Sequence, residues 1–371
     1  MRFAIKEYTL GKKIFSLAFR QEVLDELLQK DLNAALVSGN IITFFPEETT
    51  FTLSDDNCKK LSICENYDVL FINECGNGWT LFSNEKEDNP IIVTQRCNSN
   101  CLMCPTPEGV RKKENALAIE DTIDSIRYIP DDARHLTITG GEPFLVGEKI
   151  FDLFREIKTR LPYTDCLLLT NGRALGYLPY AERFASSAPQ HIVVGIPLHG
   201  YDDRTHDAIT QSPGGFEQTA AGIKNLIYRG INVELRMVVS RLNYRYIEQI
   251  AQLIVREFPH VGSVKIMGLE MLGNAAKNVN DVWIPYRTAF AYSKAGIVEL
   301  IRHGIDVGLY NFPLCAVDKC FHLICQKSIS GYKIRYSDKC ELCTRKQECG
   351  GLFAGSIRLA KDDVIPFSET K

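Results

Sequence analysis

At 371 residues the chain is long enough for about two or three domains and for a core that needs no covalent staples. Hydrophobic residues at 45% and charged residues at 24% exclude a disordered or fibrous chain. The 43 basic and 46 acidic side chains give a net charge of −3, which leaves no electrostatic footprint for nucleic acid. No apolar run approaches the ~20 residues that span a bilayer. The start, MRFAIKEYTLGKK, lacks the basic-then-apolar plan of a signal peptide, so a cytoplasmic protein without a membrane partner is expected.

In chain order, residues 21–30 carry apolar side chains at helical spacing (Val23, Leu24, Leu27, Leu28). Short strand-like runs follow at 35–37, 41–45, 69–72 and 79–82, punctuated by Gly39-Asn40 and Gly76-Asn77-Gly78. These predict a small N-terminal α+β domain over residues 1–86, with the polar stretch 83–89 as its linker. From Pro90 the texture changes. Strand-like runs at 91–94, 135–139, 166–170, 192–196, 233–239 and 264–267 alternate with helix-like stretches at 119–129, 147–161, 178–185, 216–229, 244–258 and 286–303. Strands alternating with helices of 10–20 residues argue for βαβ units and a parallel sheet. About six units fit between residues 90 and 304, fewer than the eight of a closed barrel. An open partial (β/α)6 barrel over residues 87–304 is the economical reading, with a doubly wound sheet as its rival.

Thirteen cysteines are the anomaly. In a chain of this kind they are expected to be reduced, and reduced cysteines two to four residues apart are metal-ligand or redox candidates. Cys97, Cys101 and Cys104 lie in Thr94-Gln95-Arg96-Cys97-Asn98-Ser99-Asn100-Cys101-Leu102-Met103-Cys104-Pro105, directly after the first parallel strand. Loops after strand C-termini are where parallel α/β barrels place their chemistry. Three thiolates at C-x3-C-x2-C spacing can take three corners of an iron–sulfur cube and leave one iron open to another ligand. The competing readings are inert core cysteines or a zinc knuckle, but residues 105–115 hold no fourth Cys or His to close one. Arg111-Lys112-Lys113 reads as a solvated basic face. In Thr139-Gly140-Gly141-Glu142-Pro143 an apolar strand ends in two glycines that admit close approach to the backbone, beside a carboxylate suited to an ammonium. Alone, that motif also fits an ordinary strand-to-helix turn.

Together, in this order, the two motifs resemble the radical S-adenosylmethionine (radical SAM) superfamily over residues 89–303. The resemblance implies that Cys97, Cys101 and Cys104 hold a SAM-cleaving [4Fe–4S] cluster and that Met103 lies against the adenine. It implies that Gly140, Gly141 and Glu142 hold the methionine amino group, and that Thr170 and Asn171, in the turn Leu169-Thr170-Asn171-Gly172, contact SAM. The expected activity is reductive cleavage of SAM to a 5′-deoxyadenosyl radical, with a low-potential electron donor of ferredoxin or flavodoxin type as partner. Where many relatives carry a polar residue after the fourth strand, this chain has Ile196-Pro197-Leu198-His199, and His199 is a candidate polar group near substrate. Arg236 is a candidate for the SAM carboxylate, with a salt bridge on the barrel as its alternative. Residues 265–275 weakly resemble an adenine-flanking strand end.

Near the C-terminus, Cys340-Glu341-Leu342-Cys343 and Cys349 form a trio that lacks one thiolate of a full set. Cys315, Cys320 and Cys325 are the candidates to complete it, and spacing alone does not separate iron–sulfur from zinc. The C-x2-C-x5-C pattern resembles the SPASM/twitch extension of radical SAM enzymes that modify peptides. By that resemblance residues 305–371 form a twitch-like domain with one auxiliary [4Fe–4S] cluster on Cys315, Cys340, Cys343 and Cys349. Phe353 stands where a full SPASM pattern has another cysteine. The Phe312-Pro313-Leu314-Cys315 turn and residues 327–333 further resemble the radical SAM maturases of His-Xaa-Ser repeat peptides. That implies a ribosomally made precursor peptide as substrate and a second radical SAM maturase beside it. A small molecule or cofactor precursor is the alternative substrate, and a non-catalytic zinc or Fe–S scaffold the alternative of another class. Cys58, Cys64, Cys75 and Cys166 read as plain thiols.

Overall fold

A computed structural model describes residues 2–86, 88–113 and 117–368. The expected boundary between residues 86 and 87 falls at Glu87, outside the described residues. The chain divides into two compact units. One comprises Met1–Thr94, Asn115–Leu168 and Ser187–Ile192, and the other Gln95–Glu114, Leu169–Ser186 and Val193–Lys371.

In the first unit, strands β1 (Arg2–Ala4), β2 (Lys13–Ala18), β3 (Ala34–Ser38), β4 (Ile41–Phe45), β5 (Thr49–Thr52), β6 (Val69–Ile72) and β7 (Asn77–Phe82) form one mixed sheet. Their order is β1-β7-β6-β2-β3-β4-β5. The helix Gln21–Gln29 connects β2 to β3, which run parallel, so a βαβ crossover sits inside an otherwise antiparallel sheet. That helix buries Val23, Leu24 and Leu27, the spacing its sequence announces. Sequence periodicity missed β2, because five of its six residues are buried and no alternation survives. It missed the helix Asp55–Leu61 as well, which Ser54 caps by accepting from the Asn57 N–H at 3.3 Å.

Three parallel strands complete the unit: β8 (Pro90–Thr94), β9 (His135–Gly140) and β10 (Asp165–Leu169), with β9 pairing both neighbours. Leu136 and Ile138 of β9 are fully buried on one face, and His135 and Thr137 share the other. The helix Lys149–Arg160 turns Ile150, Phe151, Leu153, Phe154 and Ile157 inward. Its charged residues point out, as a helix covering a sheet requires.

The second unit continues the same grammar. Strands β11 (Ile192–Pro197), β12 (Asn232–Val238), β13 (Ser263–Met267), β14 (Asp306–Tyr310) and β15 (Cys325–Gln326) pair in parallel, each with its sequence neighbour. Helices Gly215–Tyr228, Ile247–Glu257 and Tyr286–Arg302 alternate with them. The predicted strands and helices between 90 and 303 match the observed ones to within a few residues. Beyond residue 304 the parallel ladder runs on through β14 and β15, which periodicity did not flag. A two-stranded antiparallel ribbon, β16 (Ile334–Arg335) with β17 (Leu352–Phe353), organises the last cysteines. No helix among the described residues is long and apolar enough to cross a membrane.

Candidate active site

In the second unit the cysteine loop is held by side chains from far along the chain. Asn274 Nδ2 donates to the Cys101 carbonyl at 3.1 Å and to Asn100 Oδ1 at 3.2 Å, and Asn278 Nδ2 donates to the Leu102 carbonyl at 3.0 Å. The Asn274 N–H reaches the Cys104 carbonyl at 2.9 Å. Arg111 donates to the Ser99 carbonyl at 2.7 Å and to Asn100 Oδ1 at 2.5 Å, and Arg173 donates to the Asn98 carbonyl at 2.9 Å. Backbone N–H groups of Asn100 and Leu102 bond the carbonyls of Thr210 and Ile209, each at 3.0 Å. A loop with so many satisfied carbonyls has a fixed backbone path.

Cys97, Cys101 and Cys104 are each partly exposed, with no disulfide among them. Burial of its sulfur pushes the Cys101 thiol up to about 12, and the nearby Cys104 and Cys97 add to the shift. Such a group stays protonated until a cation displaces the proton. Met103 is buried within the same loop. Asn171 Nδ2 donates to Asn98 Oδ1 at 2.7 Å, and Thr170 Oγ1 accepts from the Gly172 N–H at 3.1 Å. The turn after β10 and the cysteine loop are therefore neighbours. Arg111 corrects a sequence expectation. It is buried and grips the loop, whereas Lys112 and Lys113 are the exposed pair.

In the first unit, the bareness of Gly140 also answers to a packing demand. A Cβ there would come within 2.1 Å of the Thr94 carbonyl, which already accepts from the Gly141 N–H at 2.7 Å. Its bareness accommodates the neighbouring strand end. Glu142 is buried rather than solvated, and its Oε1 accepts from the Phe144 N–H at 3.1 Å, capping the turn Pro143–Val146.

Arg236 lies 3.2 Å from Glu234 on the same face of β12, with its guanidinium 5.9 Å from the Tyr310 ring centroid. The two charged groups touch without hydrogen-bond alignment. The salt-bridge alternative is the contact present. His199, just past β11, is buried, and its backbone N–H donates to His206 Nδ1 at 3.3 Å. Burial drives the His199 imidazole down to about 3 and that of His206 to about 4. For His206, Asp207 raises the value and Arg173 lowers it further. Both rings are neutral in the folded protein, while the unfolded chain binds protons below about 6.5. Stability is thus complete above that value and falls as pH drops towards 4, by about 1.4 kcal/mol per pH unit for each ring. Melting of His206→Gln between pH 7 and 5 should show a shallower loss than the wild type; parallel curves would refute the assignment.

In the C-terminal part, one pocket is lined by Cys315, Cys340, Cys343 and Cys349 together with Arg335, Arg345 and Lys346. Cys349 Sγ accepts from the backbone N–H groups of Leu314 and Gly351, both at 3.4 Å. Burial raises the Cys315 and Cys340 thiols, and Arg345 and Lys346 are themselves paired with Glu348 at 2.5 Å and Glu341 at 2.6 Å. Cys325 does not line this pocket, although burial and Cys349 raise its thiol to about 11, and Cys320 is exposed. Among the described residues, no group of three or more His, Cys, Asp and Glu side chains is placed to hold a metal ion.

Residues 91–254 match the family model described as the radical SAM superfamily. Over that stretch the chain is similar to radical SAM proteins. A GTP 3',8-cyclase of Petrotoga mobilis is 29% identical over 182 residues, 48% of this chain and 54% of that protein. An AdoMet-dependent heme synthase of Nitratidesulfovibrio vulgaris is 27% identical over 165 residues, 44% and 43% of the two chains. The chain thus spans about half the length of the curated relatives it matches. Among solved structures, Streptococcus suis SuiB bound to precursor peptide SuiA is similar with a TM-score of 0.49. Its identity is 12%, covering 62% of this chain and 49% of that one. Likeness at that level assigns no substrate.

Proposed function

We propose that the chain is a radical SAM enzyme that modifies a ribosomally synthesised peptide, possessing one auxiliary cluster in addition to the SAM-cleaving one. The observation that carries the enzyme reading is the anchored loop bearing Cys97, Cys101 and Cys104 inside the stretch that matches the radical SAM model. When bound to those three thiolates, a [4Fe–4S] cluster would supply one low-potential electron to the sulfonium of SAM, releasing methionine and a 5′-deoxyadenosyl radical. The chain's own residues do the rest. Arg111, Asn274 and Asn278 fix the loop. Gly140, Gly141 and Glu142 are assigned to the methionine amino group, Met103 to the adenine, and Thr170 and Asn171 to other SAM contacts. Arg236 stays a candidate for the SAM carboxylate, which would have to draw it from Glu234.

We assign the auxiliary cluster to Cys315, Cys340, Cys343 and Cys349, whose shared pocket supports the choice of Cys315 over Cys325. In this reading residues 1–86, 87–304 and 305–371 are respectively an N-terminal domain, the barrel and a twitch-like extension. Cys349→Ala should lower the iron of the reconstituted protein from about eight to about four atoms per chain. It should leave 5′-deoxyadenosine formation measurable. Unchanged iron content would remove the auxiliary assignment.

The peptide reading rests on the resemblance of the C-terminal cysteine pattern and residues 312–333 to the maturases of His-Xaa-Ser peptides, with a second maturase as partner. The names of the curated relatives favour the alternative, since a GTP cyclase and a heme synthase are named for small molecules. Incubation with SAM, reductant and either a precursor peptide encoded nearby or GTP separates the two. A mass change in the peptide supports the first, and consumption of GTP alone overturns it.

A further inference from the structure

Strands β12, β13 and β14 of the second unit share one apolar face, on which Val233, Leu235, Met237, Val264, Ile266 and Leu309 are buried. Helices Gly215–Tyr228 and Tyr286–Arg302 pack against β12 and β14, and the apolar face is the one that suits them. The opposite face is charged. The period of two puts Glu234 and Arg236 there together, and the ladder sets Lys265 beside Arg236. Tyr310 joins them from β14, with Arg236 and Lys265 each 5.9 Å from its ring centroid. Lys265 is committed elsewhere: its stem lies over the bare Gly308, and its Nζ meets Asp306 at 2.8 Å. Glu234 has no such aligned donor. It is only 8% exposed and 3.2 Å from Arg236, yet neither Glu234 Oε1 nor Arg236 Nε has a hydrogen-bond partner. Taking two charges out of water is offset only by well-aligned hydrogen bonds, so this pair is poorly built for a purely structural role.

We propose that Glu234 is a specificity-determining carboxylate, which receives a cationic or N–H-donating group of the substrate once an incoming carboxylate has drawn Arg236 away. The trigger rests on the proposed function, in which Arg236 turns to the carboxylate of SAM. Its departure needs only a rotamer change, and it leaves Glu234 buried without a counter-charge. A donor on the substrate removes that penalty, whereas an apolar group leaves it in full. Tyr310 adds a neutral O–H to the same face, since burial first and Glu234 next push its phenol up and keep it protonated. SAM and substrate therefore bind with positive coupling. The imidazole of a peptide histidine and the edge of a guanine both carry such N–H donors, and a phenyl ring carries none.

The test uses the reconstituted protein without reductant, so that SAM binds and is not cleaved. Acetyl-His-Gly-Ser-amide, its phenylalanine counterpart and GTP are titrated separately, with and without SAM. The proteins are the wild type, Glu234→Gln, Arg236→Gln and the Glu234→Gln/Arg236→Gln double variant. The wild type should bind the histidine peptide about tenfold more tightly when SAM is present. Glu234→Gln should lose that gain, a comparison that stands even if Arg236→Gln fails to fold. Arg236→Gln should bind the peptide that tightly without SAM, because its carboxylate is already free, and the double variant should not. The phenylalanine peptide should show none of these differences. If GTP follows the pattern and the peptide does not, the receptor stands and its guest is a guanine. Affinities that do not depend on Glu234, equal binding of the phenylalanine peptide, or no binding of either donor probe would overturn the proposal. If the wild type binds no SAM, the proposed function fails, and Arg236→Gln against the double variant still decides whether Glu234 is a receptor.

Discussion

Replacing Cys101 by alanine is expected to abolish 5′-deoxyadenosine formation, by at least about a thousandfold, since catalysis that depends on one cofactor disappears with it. Cys101 is the telling position within the trio. Its carbonyl and its neighbours are fixed by Asn274 and Arg111, so removal of the sulfur leaves the loop backbone in place. Loss of activity in a folded variant then reports the missing ligand. Iron per chain should fall by about four atoms and the melting temperature should stay within a few degrees. A variant that keeps its full iron and still cleaves SAM would remove Cys101 from the site. Asn274→Ala offers a graded comparison. It withdraws two hydrogen bonds from the loop and should lower activity without eliminating it.

Gly273→Ala is the second large effect, and it acts through geometry. A Cβ at Gly273 would lie 2.3 Å from the Pro105 carbonyl oxygen and 2.9 Å from that of Cys104. Both contacts are backbone, so neither can swing away as a side chain would. The residue also has φ of +59° and ψ of −126°, a combination that L side chains avoid. Strain and overpacking together should cost about 2–5 kcal/mol and push the end of the cysteine loop out of place. Reconstitution with iron and SAM cleavage should both suffer. Gly214→Ala is the comparison: its φ is +74°, yet nothing lies within 4 Å of the new Cβ. It should cost only about 1 kcal/mol and leave cluster loading intact. Equal behaviour of the two variants in iron binding would show that the contact with Pro105 is unimportant.

The donors that hold the cysteine loop show why a sequence is partly silent. Asn274 lies 173 residues from the carbonyl it serves, and an asparagine in a polar stretch carries no local mark of that task. Arg111 sits in a run of three cations whose other two members are exposed, so composition pointed the wrong way. Strand β2 was lost because burial on both faces erases the period of two. Strand β15 spans only Cys325 and Gln326, too few residues for any alternation to build up.

By itself the sequence determined what depends on local spacing. The alternation of strands and helices from Pro90 to His303 is written in periods of two and 3.6, because each element buries one face. The C-x3-C-x2-C spacing is likewise a local fact, contained in eight consecutive residues. The strand ending in Gly140-Gly141-Glu142-Pro143 was visible for the same reason. Only the tertiary structure decided what depends on distant chain segments meeting. It turned Gly140 into the accommodation of Thr94, made Glu142 a buried cap, and set Arg236 against Glu234. It also separated Cys315, which joins Cys340, Cys343 and Cys349 around one pocket, from Cys325, which does not. Spacing counts residues along the chain, whereas a ligand set is chosen by which side chains the folded backbone turns towards the same point.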